Sequence, residues 1–265
     1  MEKSIEKSTF LKRLKNDLKA DFKRLSVSPL FYILVGIALV VPVLILVMTT
    51  MTEGSVDVEG AEITAGFTSV WQIIGTVSDS SGAAGGGMDM LSMCNINLIY
   101  FAAAVLVALF VSEEFKCGYC KNFFTLRAKK GDYVISKNIV CLVGATCMIL
   151  AFFVGALIGG AVSGLSFALD GFTALNVVFC ILSKIALLPV FISIFFLASV
   201  IGKQKTWLSV CISLGAGMLL FMMIPALTPI NATIVNVCIC LVGSAAFSLG
   251  LGFISKMILD KTSLA

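Results

Sequence analysis

The residues best suited to chemistry in this sequence do not form a catalytic or metal-binding pattern. The 265-residue chain has no histidine, the commonest general base and metal ligand, and no GxxxxGK(S/T) loop that binds phosphates. Ser183 and Lys184 are adjacent, so on a helix they point about 100° apart and cannot act as a nucleophile–base pair. Cys117 and Cys120 form a lone CxxC, which favours neither a zinc site nor a redox role. The sequence predicts no catalytic residue, no metal site and no enzymatic activity of this chain.

The composition indicates a membrane protein instead. Hydrophobic residues make up 59% of the chain and charged residues only 13%, whereas soluble domains carry about a quarter charged residues. The apolar residues fall into six runs, each able to cross about 30 Å of hydrocarbon at 1.5 Å per residue. These runs are Leu30 to Met51, about Met90 to Val111, Tyr133 to Val162, Leu175 to Ile201, Trp207 to Leu227 and Ile230 to Ile254. We therefore predict an all-α, polytopic membrane protein with six transmembrane helices.

The positive charges predict its orientation. Eighteen of the 19 lysines and arginines lie in residues 1–28, 112–137, 202–206 and the C-terminal segment. The segment after the first span has no basic residue but six acidic ones: Glu53, Asp57, Glu59, Glu62, Asp79 and Asp89. Because positive residues stay in the cytoplasm, we expect a cell-membrane protein with both termini cytoplasmic.

The predicted domains follow from this topology. Residues 1–28 form a cytoplasmic amphipathic helix, and residues 29–265 form the six-helix transmembrane domain. The helix has apolar residues at three-to-four-residue spacing between basic ones, which is typical of a helix lying on a membrane face; it either only anchors the chain or also contacts a partner. The domain includes an outer loop at 52–89 and a cytoplasmic segment at 112–132. Within the outer loop, a second interfacial helix is predicted from Phe67, Val70, Trp71, Ile74 and Val77.

The cytoplasmic segment between the second and third runs has the features of a short helix. Ser112 is suited to cap it, and Glu113 and Glu114 would then occupy its first turn, where the helix dipole favours anions. Its apolar face consists of Phe115, Phe123, Phe124 and Leu126. Exposed phenylalanines need a cover, so this face is expected either to lie on lipid headgroups or to dock onto a partner.

Here the sequence resembles a known family, the permease subunits of type-2 ABC transporters. The resemblance starts with an acidic residue at the end of the second span and continues through a Lys-Asn pair to a Tyr-x-x-Ser-Lys motif. The matching residues are Glu113 or Glu114, Gly118, Lys121, Asn122, Tyr133, Ser136 and Lys137. The layout is also similar over nearly the whole chain. The sequence departs from the family pattern at Cys117 and Cys120, and its basic stretch at 127–132 lacks the commoner proline.

The resemblance implies partners and a site. Such a chain is half of a membrane channel, pairs with a second permease that is the same or related, and is driven by a separate cytoplasmic ABC ATPase. This chain would bind no cofactor and no nucleic acid, while the ATPase would bind ATP and Mg. The helix after the second span would couple the two proteins, braced by the N-terminal helix. The implied coupling residues are Glu113, Glu114, Phe115, Gly118, Lys121, Asn122, Phe123 and Phe124.

Three polar residues inside the apolar runs are candidates for a substrate path. Lys184 lies near the middle of the fourth run, where a lysine costs about 3 kcal/mol and normally faces protein or water. It faces the path between the two permeases, packs against a polar residue, or extends its stem so that the ammonium reaches the membrane surface. Asn95 and Asn97 either line the outer end of that path or hydrogen-bond between helices. Gly155 with Gly159, a GxxxG pair, permits close helix approach.

These features together predict the permease subunit of an ATP-driven exporter. The small size and layout resemble exporters that remove lantibiotic or other antimicrobial, amphipathic peptides. An acidic outer loop would attract cationic peptides, although it also reflects the general absence of positive charge outside. The alternative is a membrane sensor or scaffold without an ATPase. An ion-coupled carrier fits less well, because such carriers usually bear acidic residues within their spans.

Overall fold

The computed structural model describes residues 10–52, 67, 69–75, 95–126, 130–169, 171–203, 205–221 and 223–261. Within these ranges the chain forms nine α-helices and one short 3-10 helix, and no strand is present. Most of the predicted outer loop, and residues 127–129 of the basic stretch, lie outside the described residues. The all-helical prediction is confirmed for the part of the chain that is described.

The helices follow the apolar runs closely. They are α1 Phe10–Val27, α2 Pro29–Thr52, α3 Leu98–Lys116, α4 Tyr119–Leu126, α5 Lys130–Ser163, α6 Ala174–Gly202, α7 Thr206–Phe221, α8 Met223–Leu227 and α9 Ile234–Lys261. The 3-10 helix comprises Val70–Ile73. Among the described residues, α2, α3, α5, α6 and α9 are long and apolar enough to cross a membrane. The chain is therefore a multi-pass membrane protein.

The fifth predicted span contains two described helices. They are α7, which has 16 residues, and α8, which has five, on either side of residue 222, which lies outside the described residues. At 1.5 Å per residue α7 by itself reaches about 24 Å, whereas a hydrocarbon core is roughly 30 Å thick. Among the described residues, five helices are therefore long enough to cross a membrane, and the sixth predicted span stays a prediction.

The second span is displaced along the sequence from its predicted position. A turn at residues 95–97 precedes α3, in which the backbone N–H of Asn97 donates to Asn95 Oδ1 at 2.9 Å. The N–H of Ile96 donates to the backbone oxygen of Ile73 at 2.9 Å.

The helix α3 then continues to Lys116, so Ser112 lies buried within α3 and does not cap a new helix. The prediction of a cap at Ser112 is wrong because hydropathy does not mark the end of a helix that passes beyond the hydrocarbon.

Close packing of α2 against α5 depends on the predicted glycine pair. A Cβ atom at Gly155 would overlap the backbone oxygen of Leu39 and lie 2.8 Å from Pro42 Cγ. At Gly159 it would lie 2.9 Å from Val43 Cα. The two helices therefore approach at these positions more closely than any side chain would allow.

The 3-10 helix lies inside the bundle and not on its outer surface. Val70 and Ile73 are fully buried, and Val70 occupies the space next to Gly160. Trp71 holds the segment in place, since its indole N–H donates to the backbone oxygen of Phe167 at 3.2 Å. The described part of the predicted interfacial helix is this four-residue 3-10 helix, and its position at the membrane face stays a prediction; Val77 lies outside the described residues.

Candidate functional site

The helix α1 turns an acidic face toward the bundle. Its only acidic residues, Asp17 and Asp21, are both buried, as is Leu25 one turn further on. Leu18 and Phe22 also pack on the core, whereas Leu11 is exposed. The helix therefore contacts the bundle through carboxylates as well as through the apolar residues that its pattern predicts.

Lys137 of α5 lies at the centre of the contact with α1. Its side chain is 1% exposed, and its Nζ lies 2.5 Å from Asp21 Oδ1. The same ammonium forms an ion pair with Glu114 at the end of α3. Ser136 donates its hydroxyl to the other oxygen of Asp21 at 2.7 Å. A buried lysine is thus held by two carboxylates from two different helices.

Glu114 is the second centre of this network. It is fully buried, pairs with Arg24 of α1, and accepts a hydrogen bond of 2.7 Å from the hydroxyl of Tyr133. Burial alone would lower the pKa of Arg24, but the nearby charges of Glu114 and Asp21 outweigh it and raise that pKa. We call Asp21, Arg24, Glu114 and Lys137 the four-charge cluster. Its two positive and two negative charges cancel, which permits burial at the end of the bundle.

Aromatic rings enclose the four-charge cluster. The guanidinium of Arg24 lies 4.7 Å from the ring centre of Tyr119, and the ammonium of Lys137 lies 4.8 Å from that of Phe110. Cations at these distances are attracted to the ring faces. The rings therefore keep water away from the charges and add to their attraction.

Further polar contacts fasten the start of α5 to its neighbours. Arg13 of α1 forms an ion pair of 3.0 Å with Asp132. Lys130 donates to the backbone oxygen of Leu259 in α9 at 2.6 Å and lies 3.8 Å from Asp260. The ends of α1, α3, α5 and α9 therefore meet at one end of the molecule. We call this end of the molecule the basic end, because it contains residues that the sequence analysis places in the cytoplasm.

The short helix α4 follows α3 after a sharp turn. Only Cys117 and Gly118 separate the two helices, and Gly118 has a positive φ of 70°, a conformation that glycine adopts without strain. Phe123 and Phe124 of α4 then pack against Tyr133, with ring centres 5.7 and 5.3 Å apart. Both phenylalanines are therefore partly buried against the chain itself, a contact that the sequence analysis did not predict.

The predicted coupling residues divide into a buried and an exposed set. Glu114 and Phe115 are buried in the bundle, whereas Glu113 and Asn122 are exposed. The side chain of Lys121 lies outside the described residues. Of the two acidic residues that match the family motif, Glu114 joins the cluster and Glu113 faces outward.

The two cysteines of the CxxC differ in environment. Cys117 is exposed, whereas Cys120 is 1% exposed with its sulfur 3.4 Å from the hydroxyl oxygen of Tyr133. Burial raises the pKa of the Cys120 thiol to about 12, which keeps it protonated and unreactive at neutral pH. In the described ranges all cysteines are free, and no group of three or more metal-ligating side chains could hold a metal ion.

Lys184 contacts one of the two candidate asparagines directly. Its ammonium donates to Asn97 Oδ1 at 2.8 Å and to Thr228 Oγ1 at 2.9 Å, and the hydroxyl of Tyr100 donates to its backbone oxygen at 2.8 Å. The lysine is 1% exposed, and among the described residues no acidic side chain pairs with it. This arrangement is the polar packing that the sequence left as an alternative to a substrate path. Asn95 orients Asn97 through the turn before α3.

Three residues of these two sites were not predicted: Asp21, Arg24 and Thr228. A signal for the first two is present in the sequence. Asp17, Asp21 and Arg24 recur at helical spacing, and the two aspartates are the only acidic residues in a helix that otherwise carries lysine and arginine. Acids placed on one face of a basic helix indicate a buried ionic contact. Thr228 has no such signal, because its role depends on the turn before α9.

Comparison with protein families identifies the class of this membrane protein. Residues 18–220 match the model of the ABC-2 family transporter proteins. The match covers more than half of the chain, which therefore belongs to the ABC-2 transporter family as a membrane component. Membership implies a membrane location and an ATPase partner. Neither a curated protein nor a solved structure matches the chain.

Proposed function

We propose that this chain is the permease subunit of an ATP-driven exporter and that α4 is its contact with the ATPase. The observation that carries the proposal is the four-charge cluster, which joins α1, α3 and α5 directly beside α4. The chain itself hydrolyses no ATP; ATP and Mg bind to the partner. By the distribution of positive charge, the basic end and both termini lie in the cytoplasm, and α7 with α8 completes a sixth crossing.

The contacts support a simple route for movement through this permease. A push on α4 moves the end of α3 through Gly118, and the cluster carries the push to α1. Only Ser28 separates α1 from α2, so the first span follows. On the other side, Phe101 of α3 stacks on Phe221 of α7 with ring centres 5.3 Å apart. The first, second and fifth spans would thus shift together and open a path between two permeases, the same or related.

The first test concerns the coupling surface. Replacing both exposed residues, Glu113→Arg with Asn122→Trp, is expected to reduce the ATPase recovered with the tagged, detergent-solubilised chain by about tenfold or more, equivalent to ~1.4 kcal/mol. The reason is that charge reversal and a bulky ring block docking without disturbing the buried cluster. Mass spectrometry of the co-purified proteins and an assay of ATP hydrolysis measure the effect.

A matched control keeps this test specific. Lys205→Trp places the same ring on an exposed position of the loop between α6 and α7, and it is expected to keep the ATPase. Loss of the ATPase from both variants, or from neither, would contradict coupling through α4. Wild-type chain that is expressed normally but recovered without an ATPase would favour the sensor or scaffold.

We further propose that the exported substrates are antimicrobial or other amphipathic, cationic peptides. The support comes from the sequence of the segment after α2, which carries only acidic charges. A surface of one sign raises the local concentration of ligands of the opposite sign. Peptides released at the outer face would therefore be drawn toward this segment.

Neutralising that segment tests the substrate proposal. The fourfold change Glu53→Gln, Asp57→Asn, Glu59→Gln and Glu62→Gln is expected to lower resistance of cells to a cationic peptide. The loss should shrink as salt rises, since ions screen exposed charges over about 8–10 Å. Growth inhibition by cationic and by uncharged peptides measures it, with the uncharged peptide as control. Unchanged resistance to the cationic peptide at low salt would exclude the electrostatic attraction.

A further inference from the structure

A groove lies between α5, α6 and α9, and neither Lys184 nor any residue of the four-charge cluster lines it. Its volume is about 560 Å³, and its walls are mainly apolar side chains of three spans. Along α5 it extends from Gly131 to Leu142, which is about 16 Å at 1.5 Å per residue. That length is close to half of the roughly 30 Å hydrocarbon core. The groove therefore spans one leaflet of a bilayer.

One end of the groove carries a positive charge. Lys256 of α9 lines it beside Gly131 at the start of α5, where a Cβ atom would lie 3.8 Å from the Cδ atom of Lys256. The lysine is exposed and forms no ion pair with any described residue. This is the basic end, which we place in the cytoplasm. A basic residue at the cytoplasmic mouth of a groove between spans is suited to an anionic lipid headgroup.

Two polar residues stand among the apolar walls of the groove, Asn138 and Ser193. Oδ1 of Asn138 and Oγ of Ser193 have no hydrogen-bond partner among the described residues, but both atoms are covered by protein and are not open to the groove. The walls that an occupant would contact are therefore mainly apolar, which favours a hydrocarbon chain.

We propose that the groove binds one anionic phospholipid of the cytoplasmic leaflet. Its phosphate pairs with Lys256, and one acyl chain lies along the apolar walls of the groove. The apolar walls favour a lipid over a water-soluble anion, and the free lysine favours an anionic lipid over a zwitterionic one. Such a lipid would hold α9, which has few buried residues of its own, against α5 and α6.

The experiment compares lipids on the purified full chain in mild detergent. Phosphatidylglycerol is expected to raise the midpoint of thermal unfolding more than phosphatidylcholine, and native mass spectrometry is expected to retain a bound phosphatidylglycerol. Gly252→Leu fills the groove and should remove both effects. It is tolerated because a Cβ atom at Gly252 meets only Val134 Cγ1, at 3.9 Å. Gly250→Leu, two residues away with nothing within 4 Å of its Cβ, is the matched control and should keep both.

The charge is tested separately. Lys256→Gln should abolish the preference for phosphatidylglycerol over phosphatidylcholine while Lys205→Gln, at another exposed lysine, leaves it unchanged. The proposal is overturned if Gly252→Leu responds to lipid as Gly250→Leu does, if Lys256→Gln keeps the preference, or if inorganic phosphate alone reproduces the shift in midpoint. The last outcome would indicate an anion site without a lipid.

Discussion

Replacing Lys137 with methionine is expected to lower the free energy of unfolding by about 3–5 kcal/mol, the range found when one partner of a buried ion pair is removed. The variant leaves the carboxylates of Asp21 and Glu114 in the bundle with only Arg24 to balance them. Both carboxylates are buried, so water cannot replace the positive charge that is lost. The loosened contact should also release α1 and reduce the ATPase recovered with the chain.

The measurement uses the protein's own thiols. Cys141 and Cys180 are buried, so a thiol-reactive fluorophore reports thermal unfolding of the detergent-solubilised chain. Lys184→Met is the matched control, because Lys184 is equally buried but contacts the neutral oxygens of Asn97 and Thr228. It is expected to shift the midpoint much less and to leave the ATPase bound. An equal loss in the two variants would mean that the ion pairs of Lys137 contribute no more to stability than the neutral hydrogen bonds of Lys184.

Even the smallest substitution at Gly155, alanine, is expected to destabilise the chain strongly. The added Cβ atom would overlap the backbone oxygen of Leu39, and a backbone atom cannot rotate away as a side chain would. The helices α2 and α5 would have to separate, which breaks the packing along their whole contact. Overpacking typically costs about 1–3 kcal/mol, and at a helix–helix contact without side chains we expect the upper part of that range.

Gly36→Ala provides the comparison for this prediction. Gly36 lies on α2, the partner helix, and a Cβ atom there meets nothing within 4 Å. Because alanine favours the helix over glycine by about 1 kcal/mol, this variant is expected to unfold at the same or a higher temperature than the wild type. If Gly155→Ala were also neutral in the fluorophore assay, the close approach of α2 and α5 would not occur in the membrane.

The helices were predictable because the bilayer requires long apolar runs, and such runs are visible in a sequence. The hydropathy pattern alone does not predict where the helices begin and end. The last helix continues to Lys261 although its apolar run ends at Ile254. Lysines are compatible with this extension because the apolar stem of the side chain can lie along hydrocarbon while the charge stays in water. Its start at Ile234 follows Thr233, whose N–H and hydroxyl both donate to Asn236 Oδ1. The same Thr-x-x-Asn pattern precedes α6 at Thr173, so this start signal was available in the sequence.

The candidate site was predictable in part. The motif residues Tyr133, Ser136 and Lys137 were recognisable by resemblance, but their partners were not. Asp21 lies 116 positions from Lys137 in the sequence. Hydropathy predicts that charged residues face water, and it does not show whether the fold brings an opposite charge next to them. The contacts of Phe123 and Phe124 with the ring of Tyr133 were not predicted for a related reason, since Tyr133 belongs to the next span.

The setting of Lys184 has a consequence for the order of assembly during synthesis. Of its two acceptors, Asn97 precedes it in the chain and Thr228 follows it. When the fourth span enters the bilayer, only Asn97 has been made, so the lysine is held by the start of the second span alone. Its second acceptor arrives later, with the hairpin that leads into the last span. The turn that follows α8 therefore completes the polar contact that fixes a helix inserted before it.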